Sequence, residues 1–480
     1  MLEKLSAQEI VSHIISKQIT AEEVIEHYLN RIKKFNGSLN AIVSLKDEEI
    51  IRDCAAGAIW HEHNNEGPEK LLFGLPMAIK DLIDVEGLPT TYGLRTYKNN
   101  IPLKNSIMVD RLIDQGAIII GKTNTPELGL GSHTTNKLFG STSNIFDQTK
   151  TAGGSSGGAA SAVGASLLPL ADGSDMMGSC RNPAAYTNLY GFRPTPGLIP
   201  EYRIMKIDKQ FPLLSTPGCL TKTPTEMALL LDAIVGKHSS DPFSFDPQSS
   251  FSEHQINDDD FSKLKIGWLS DMDGAYQFED EIIDLCETVL DDLDKTELQV
   301  AHLKLEINST LLWNSWTTLR SKNIFYYLNE MKLDFHEDLG FPIRWEYQKG
   351  RGTTSNDIEL SLDQRSECKN VVEQLFMKFD FLVLPSAQVF PFDKKLKYPE
   401  EISGHNLDTY HRWMEVVTLA SLLGLPTISV PVGFNKNGLP MGMQIIGKKG
   451  DDLRVVSFAK KYEEIFNFSR YTHIKNVESF

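Results

Sequence analysis

The sequence predicts an α/β protein with a mixed or mainly parallel sheet, on two observations. From about residue 70 to 235, short apolar runs alternate with helical patterns, the order that builds layered α/β folds. After a polar interval the alternation resumes. Thr427-Ile-Ser-Val430 and Met443-Gln-Ile-Ile446 then read as strands that rejoin the same sheet. A chain of 480 residues is long enough for several domains, but late strands returning to an early sheet favour one domain over 1–480.

Residues 6–35 read as two helices. Ser6 with Glu9, and Thr20 with Glu23, fit the capping box, in which two side chains satisfy orphan amides of a first turn. Together with the residues up to about 65, they form a helical appendage on the main body. Gly74-Leu-Pro-Met-Ala-Ile79 is a buried strand ending at Lys80, Met108 to Gln115 a helix, and Ala117 to Ile120 a strand closed by Gly121. Thr223-Pro-Thr-Glu226 caps a helix that runs to Val235 and stops at Gly236. Residues 238–262, with Asp258-Asp-Asp260, read as an exposed polar segment. Leu264 to Leu269 and Phe381 to Leu384 are further strands, and 278–292 and His411 to Leu423 further helices.

The net charge of −16 disfavours nucleic acid and anionic membrane as partners, because both need basic patches. Five cysteines without paired spacing read as reduced thiols, and no signal peptide opens the chain, so a cytoplasmic location is expected. The longest nearly uncharged stretch, Ala159 to Ala171, is too short to span a bilayer. His61 and His63 flank Glu62, but nothing distant completes a ligand set; they read as a solvated turn, and no metal is expected.

The stretch richest in unusual residues is Gly153-Gly-Ser-Ser-Gly-Gly158, followed by Gly173-Ser-Asp-Met-Met-Gly-Ser-Cys-Arg181. Glycines at this density suit backbone that takes positive φ or closely approaches a ligand. Three readings stand: a flexible linker, a phosphate loop, or an acyl-transfer site. The small-residue run Ala159 to Ala165 reads as a tightly packed helix and speaks against a linker. No Gly-Lys-Ser/Thr follows either cluster, which speaks against a phosphate loop. Acyl transfer needs a hydroxyl nucleophile, a neutral base and preorganised amide donors. Ser179 after Gly178, and Lys80 at the end of an apolar strand, are of the right types. Spacing alone does not join them.

Phe73-Gly-Leu-Pro-Met-Ala-Ile-Lys-Asp81, Gly121-Lys-Thr-Asn-Thr-Pro-Glu127, Gly153–Gly158, Gly178-Ser-Cys-Arg-Asn-Pro-Ala184 and Gly424-Leu-Pro-Thr-Ile-Ser-Val-Pro-Val432 together resemble the amidase signature family. Lys80, Ser155 and Ser179, separated by 75 and then 24 residues, match the family's Lys–cis-Ser–Ser triad. The resemblance implies a large mixed sheet covered by helices on both faces. It also implies hydrolysis of a carboxylic amide to acid plus ammonia or amine, with no metal and no organic cofactor.

In that scheme Ser179 is the nucleophile, Ser155 the bridging hydroxyl after a cis peptide, and Lys80 the base. Backbone N–H groups of Met176, Met177, Gly178 and Ser179 form the oxyanion hole. Gly153, Gly154, Ser156, Asp175 and Arg181 support the loop. The family alternatives are the amidase subunit of a tRNA-dependent amidotransferase, or a catalytically silent scaffold. The expected partner is a small-molecule amide, and a homodimer is compatible with this reading.

Two positions depart from the family pattern. Met177-Gly178 stands where Gly-Gly is usual, so a Cβ at 177 is costly if the backbone there has positive φ. Cys180 replaces a usual aliphatic residue and reads as a packed thiol. The aromatic run 313–327, Tyr410, His411, Trp413 and His133 are further candidates for the pocket wall.

Overall fold

The computed structural model describes residues 2–62, 70–202, 213–296, 298–304, 308–333 and 339–472. Its main sheet has eight strands in the order Gln299–His302, Lys265–Trp268, Phe381–Pro385, Pro440–Ile446, Thr427–Phe434, Tyr190–Arg193, Thr216–Thr221, Ala171–Asp175. The first three are parallel and the remaining pairs antiparallel, so the sheet is mixed. The late strands do return to the sheet, at its centre. Gln444, on one of them, reaches the loop that carries Ser179.

Pro76–Lys80 lies elsewhere. It pairs in parallel with Ile118–Thr123, which pairs antiparallel with Ile42–Leu45, in a separate three-stranded sheet. The apolar run in the sequence identifies a buried strand but not its neighbours, because every apolar strand is compatible with either sheet. The two sheets meet where both Asp172 carboxylate oxygens accept from Lys80 N–H at 3.2 Å.

The capping boxes at Ser6, Thr20 and Thr223 are all formed. The N-terminal helices Ala7–Ile15 and Ala21–Leu39 are fixed to the body by chemistry as well as packing. Ala7 N–H donates to Glu226 Oε1 at 3.1 Å and Gln8 Nε2 to the Thr225 carbonyl at 2.8 Å. One apolar cluster runs from Ile10 and Ile14 in the first helix to Phe458 and Tyr462 in the last.

Segment 238–262 exposes Asp258, Asp259 and Asp260 but buries Phe251, Ile256 and Phe261, so its polarity is confined to its outer side. The expected helix from His411 is a 3-10 helix, Arg412–Val417, joined to an α-helix, Thr418–Leu423. The kink at Met414 has a cause: Val416 N–H donates to Gln388 Oε1, 3.1 Å, instead of continuing a helical ladder. His61 carries no described side chain, and His63 lies outside the described residues. Among the described residues, no helix is long and apolar enough to cross a membrane.

Gly157–Gly164 forms the small-residue helix, buried throughout. Its close approach is measurable at Gly158, where a Cβ would sit 2.3 Å from Asn124 N and 2.7 Å from the Ala41 carbonyl oxygen. These are main-chain atoms that cannot swing aside. Gly158→Ala is therefore expected to destabilise the fold by roughly 1–3 kcal/mol, the ordinary cost of overpacking. Unfolding midpoints in guanidinium unchanged from wild type would contradict it.

Candidate active site

Lys80 ends its strand with its side chain fully buried. Nζ lies 2.8 Å from Ser155 Oγ, 2.8 Å from Ser156 Oγ and 3.0 Å from Ser174 Oγ. Burial pushes its ammonium down to about 8, with Asp172 and Asp175 pulling the other way. A neutral amine has two N–H donors and one lone pair, so one of the three hydroxyls can donate to nitrogen. The adjacent carboxylate in sequence, Asp81, is not its partner; Asp81 faces Lys122 at 3.7 Å and accepts from Thr91 N–H at 3.0 Å.

Asp172 and Ser174 escaped the sequence reading although a signal existed. Alternate residues of a strand share a face, and in Ala171–Asp175 that rule sends Asp172 and Ser174 toward Lys80 and Asp175 to the other side. Burial pushes the Asp172 carboxyl up to about 6, opposed by Lys80 N–H and by the charges of Lys80 and Lys122.

The loop from Asp175 to Arg181 is built around one carboxylate. Asp175 Oδ1 accepts from Gly178 N–H, 2.9 Å, and Oδ2 from Cys180 N–H, 3.1 Å. Arg181 closes a fork on it, with Nη2 2.9 Å from Oδ1 and Nε 3.0 Å from Oδ2. Arg181 Nη1 also reaches Gln444 Oε1 at 2.6 Å, and Nη2 reaches Ser421 Oγ at 2.8 Å, which pins the loop to the central sheet and to the helix Thr418–Leu423. Burial raises the Asp175 carboxyl, but Arg181 and Arg193 beside it outweigh that and hold it well below the usual range.

Asp175→Asn keeps the shape but leaves two buried guanidinium groups without a counter-charge. A loss of about 3–5 kcal/mol is expected, as for removing one partner of a buried pair. Equilibrium unfolding measures it, and a loss under about 1 kcal/mol would count against this account.

Gly153 and Gly178 both have positive φ, and a Cβ on Gly153 would lie 2.5 Å from Asn182 Oδ1. That oxygen accepts from Gly154 N–H at 3.1 Å, joining the two glycine loops, and the Gly154–Ser155 peptide is cis. Met177 is not among the residues with positive φ, so its Cβ carries no such cost. Cys180 is buried, and burial with Asp175 nearby pushes its thiol far above the ordinary range, so no thiolate is available there.

Of the four N–H groups expected to form the oxyanion hole, one already has a partner within the protein. Gly178 N–H is committed to Asp175. Among the described residues, no hydrogen bond uses the N–H of Met176, Met177 or Ser179.

Ser155, Ser174, Met176, Met177 and Ser179 line one cavity of about 650 Å³. Ser156 N–H donates to the Ser179 carbonyl, 3.1 Å, and holds the two serine loops together. Among the described residues, the hydroxyls of Ser155 and Ser179 are not hydrogen-bonded to each other. The cavity continues along Leu128, Leu130, Ile324 and Tyr327 to Arg320 and His411. Trp313, Trp316, Tyr410 and Trp413 are core residues instead. His133 also lies away from this cavity. Its ring bridges Thr151 Oγ1, 2.7 Å, and the Lys394 carbonyl, 3.0 Å.

This geometry has known relatives. The profile of the Amidase family matches residues 23–456. An acylamidase of Rhodococcus erythropolis is 30% identical over 96% of this chain and 95% of its own length. The A subunit of the glutamyl-tRNA(Gln) amidotransferase of Alkaliphilus metalliredigens is 29% identical over 96% of each. Among solved structures, a bacterial aryl acylamidase of the amidase signature enzymes superposes with a TM-score of 0.90 at 27% identity, covering 98% of this chain and 97% of that one. The chain thus belongs to the amidase signature family and is an amide-hydrolysing enzyme.

Proposed function

We propose that Ser179 attacks the amide carbonyl and carries the acyl group, with Lys80 as the base and Ser155 as the proton relay. The single observation behind this reading is the buried Lys80 amine, pushed down to about 8 and bonded to Ser155 on the wall of the cavity that Ser179 shares. Neutral Lys80 takes the Ser155 proton as Ser155 takes that of Ser179. The relay then reverses, delivering a proton to the leaving amine. The two serine hydroxyls meet when substrate binds, since catalytic hydrogen bonds often tighten only in the substrate complex.

Met176, Met177 and Ser179 N–H groups supply the donors for the developing oxyanion, with Gly178 excluded by its bond to Asp175. Water hydrolyses the acyl-Ser179 ester by the same relay. The substrate is a small or medium carboxylic amide, the whole chain works as a single domain, and no metal or organic cofactor takes part. The free state of Cys54, Cys180, Cys219, Cys286 and Cys368 and the charge of −16 support a cytoplasmic location.

A fluorophosphonate probe tests the nucleophile. It is expected to label Ser179, as mapped by peptide mass spectrometry, with no labelling of Ser179→Ala. Folded protein that resists the probe would favour the silent scaffold.

The likeness to amidotransferase A subunits, 29% identical over nearly the whole chain, supports a second reading as one component of such an enzyme. Co-purification with a second, different chain would favour it. Turnover of free amides by the isolated chain favours the first.

A further inference from the structure

Where the small sheet faces the main one, two amines and two carboxylates are buried together: Lys80, Asp81, Lys122 and Asp172, each 0% exposed. Lys122 and Asp81 satisfy each other. Lys122 Nζ lies 3.7 Å from Asp81 Oδ1 and donates to the Ile83 carbonyl at 2.6 Å and to Thr90 Oγ1 at 2.8 Å. Asp81 accepts in turn from Thr91 N–H at 3.0 Å. Asp172 is less well provided. Both its oxygens face one donor, the Lys80 N–H, at 3.2 Å each, and among the described residues no other residue donates to them.

A carboxylate has about four acceptor sites, so one shared N–H leaves most of this buried charge without a dipole to solvate it. Such a charge persists where an opposite charge compensates it. The other groups around the strand Ala171–Asp175 offer little. Cys180 and Cys219 are thiols that burial pushes far up, so they are neutral. Asp175, on the other face, is paired with Arg181 and Arg193, and the helix Gly157–Gly164 packed on the strand has no titratable side chain. Lys122 acts on Asp172 from its pair with Asp81. Lys80 remains, and it has the matching need. Its Nζ is ringed by the hydroxyls of Ser155, Ser156 and Ser174, with no carboxylate in contact among the described residues. Hydroxyls turn toward an ammonium but do not cancel its charge.

We propose that Asp172 is a positioning residue for the acyl-transfer reaction: its negative charge stabilises the ammonium that Lys80 becomes in mid-reaction, without touching Nζ. A carboxylate in contact with Nζ would hold it in an ion pair, draw it from Ser155 and compete for the proton. Asp172 is instead held by the Lys80 main chain, so its charge is felt while the amine faces the hydroxyls. It moves no proton. The proton passes from Ser179 to Ser155 to Lys80 and returns by the same route to the leaving amine. Burial pushes the Asp172 carboxyl up to about 6, so it is ionised where Lys80, at about 8, changes charge. The inference rests on the reading of Lys80 as the base and adds what keeps that base strong enough to work.

The test is the pH profile of kcat/KM in Asp172→Asn, which keeps the side chain's size and an oxygen for the Lys80 N–H but removes the charge. Losing a negative neighbour disfavours the ammonium, so the limb near 8 is expected to move down by about one pH unit or more. On the plateau kcat is expected to fall about tenfold or more, because the amine is a weaker base. Asparagine would serve a purely structural role and leave the limb in place. A limb that stays at the wild-type pH in folded Asp172→Asn, with unchanged circular dichroism, overturns the inference whatever happens to kcat. A wild-type profile without the limb rejects Lys80 as the base and takes this inference with it, so the two failures are distinct.

A second measurement leaves Asp172 in place. Coupling between two charges is reciprocal, so removing the amine must hinder ionisation of Asp172. Burial pushes both Asp172 and Asp452 up to about 6. In carbon NMR of labelled aspartate carboxyls, Lys80→Met is expected to raise one of these two midpoints by about one pH unit or more and leave the other unchanged. Two unmoved midpoints would overturn the coupling.

Discussion

Ser179→Ala is expected to lower kcat by about 10⁶-fold, the scale seen when a serine nucleophile is removed, while leaving fold and substrate affinity nearly unchanged. The change deletes one oxygen from a side chain that is only 6% exposed and accepts no structural hydrogen bond among the described residues. The oxyanion donors and the cavity persist, so a residual rate above that in water is expected too. Steady-state kinetics on any turned-over amide provides the measurement. Activity within about tenfold of wild type would identify a different nucleophile. Cys180 is already disfavoured by its buried, fully protonated thiol.

Lys80→Met carries the next largest loss, about 10²–10⁴-fold in kcat, the usual worth of a positioned acid–base group. Methionine fills the same channel without a proton acceptor, so Ser155 loses the group that draws its proton. The pH profile adds a sharper criterion. The base acts only when neutral, so below about 8 the wild-type kcat/KM should fall roughly tenfold per pH unit and level off above it. Lys80→Met should lose that limb.

Stability moves with it. The folded pKa of about 8 lies below the ordinary 10.5, so the folded state binds fewer protons between those values and gains stability as pH rises through them. The variant should lack this gain. A wild-type profile flat from pH 6 to 9, or near-native kcat in Lys80→Met, would reject Lys80 as the base.

How far the sequence reaches can be judged residue by residue. Lys80, Ser155 and Ser179 were legible because their order and spacing belong to a family pattern, and Asp175 and Arg181 because they sit inside the same block. Asp172 and Ser174 were legible in principle through the alternation of one strand, but only once Ala171–Asp175 is known to be a strand facing Lys80. Arg320, Glu346, Tyr410 and His411 were not legible as a unit. They come from separate segments, and nothing in a linear pattern says which buried charge will meet which.

Hydrophobic period, capping boxes and short motifs are local properties of the chain, so the α/β class, the capped helices and the candidate reacting groups can be read before any folding is considered. Three further facts emerge only from the packed molecule. Lys80 belongs to a second, smaller sheet, Asp175 takes the Gly178 N–H for itself, and Asp172, on the main sheet, accepts from the Lys80 N–H. Each depends on desolvation and on contacts between distant segments, and burial, which sets the charge of Lys80 and of His411, exists only once the chain has packed.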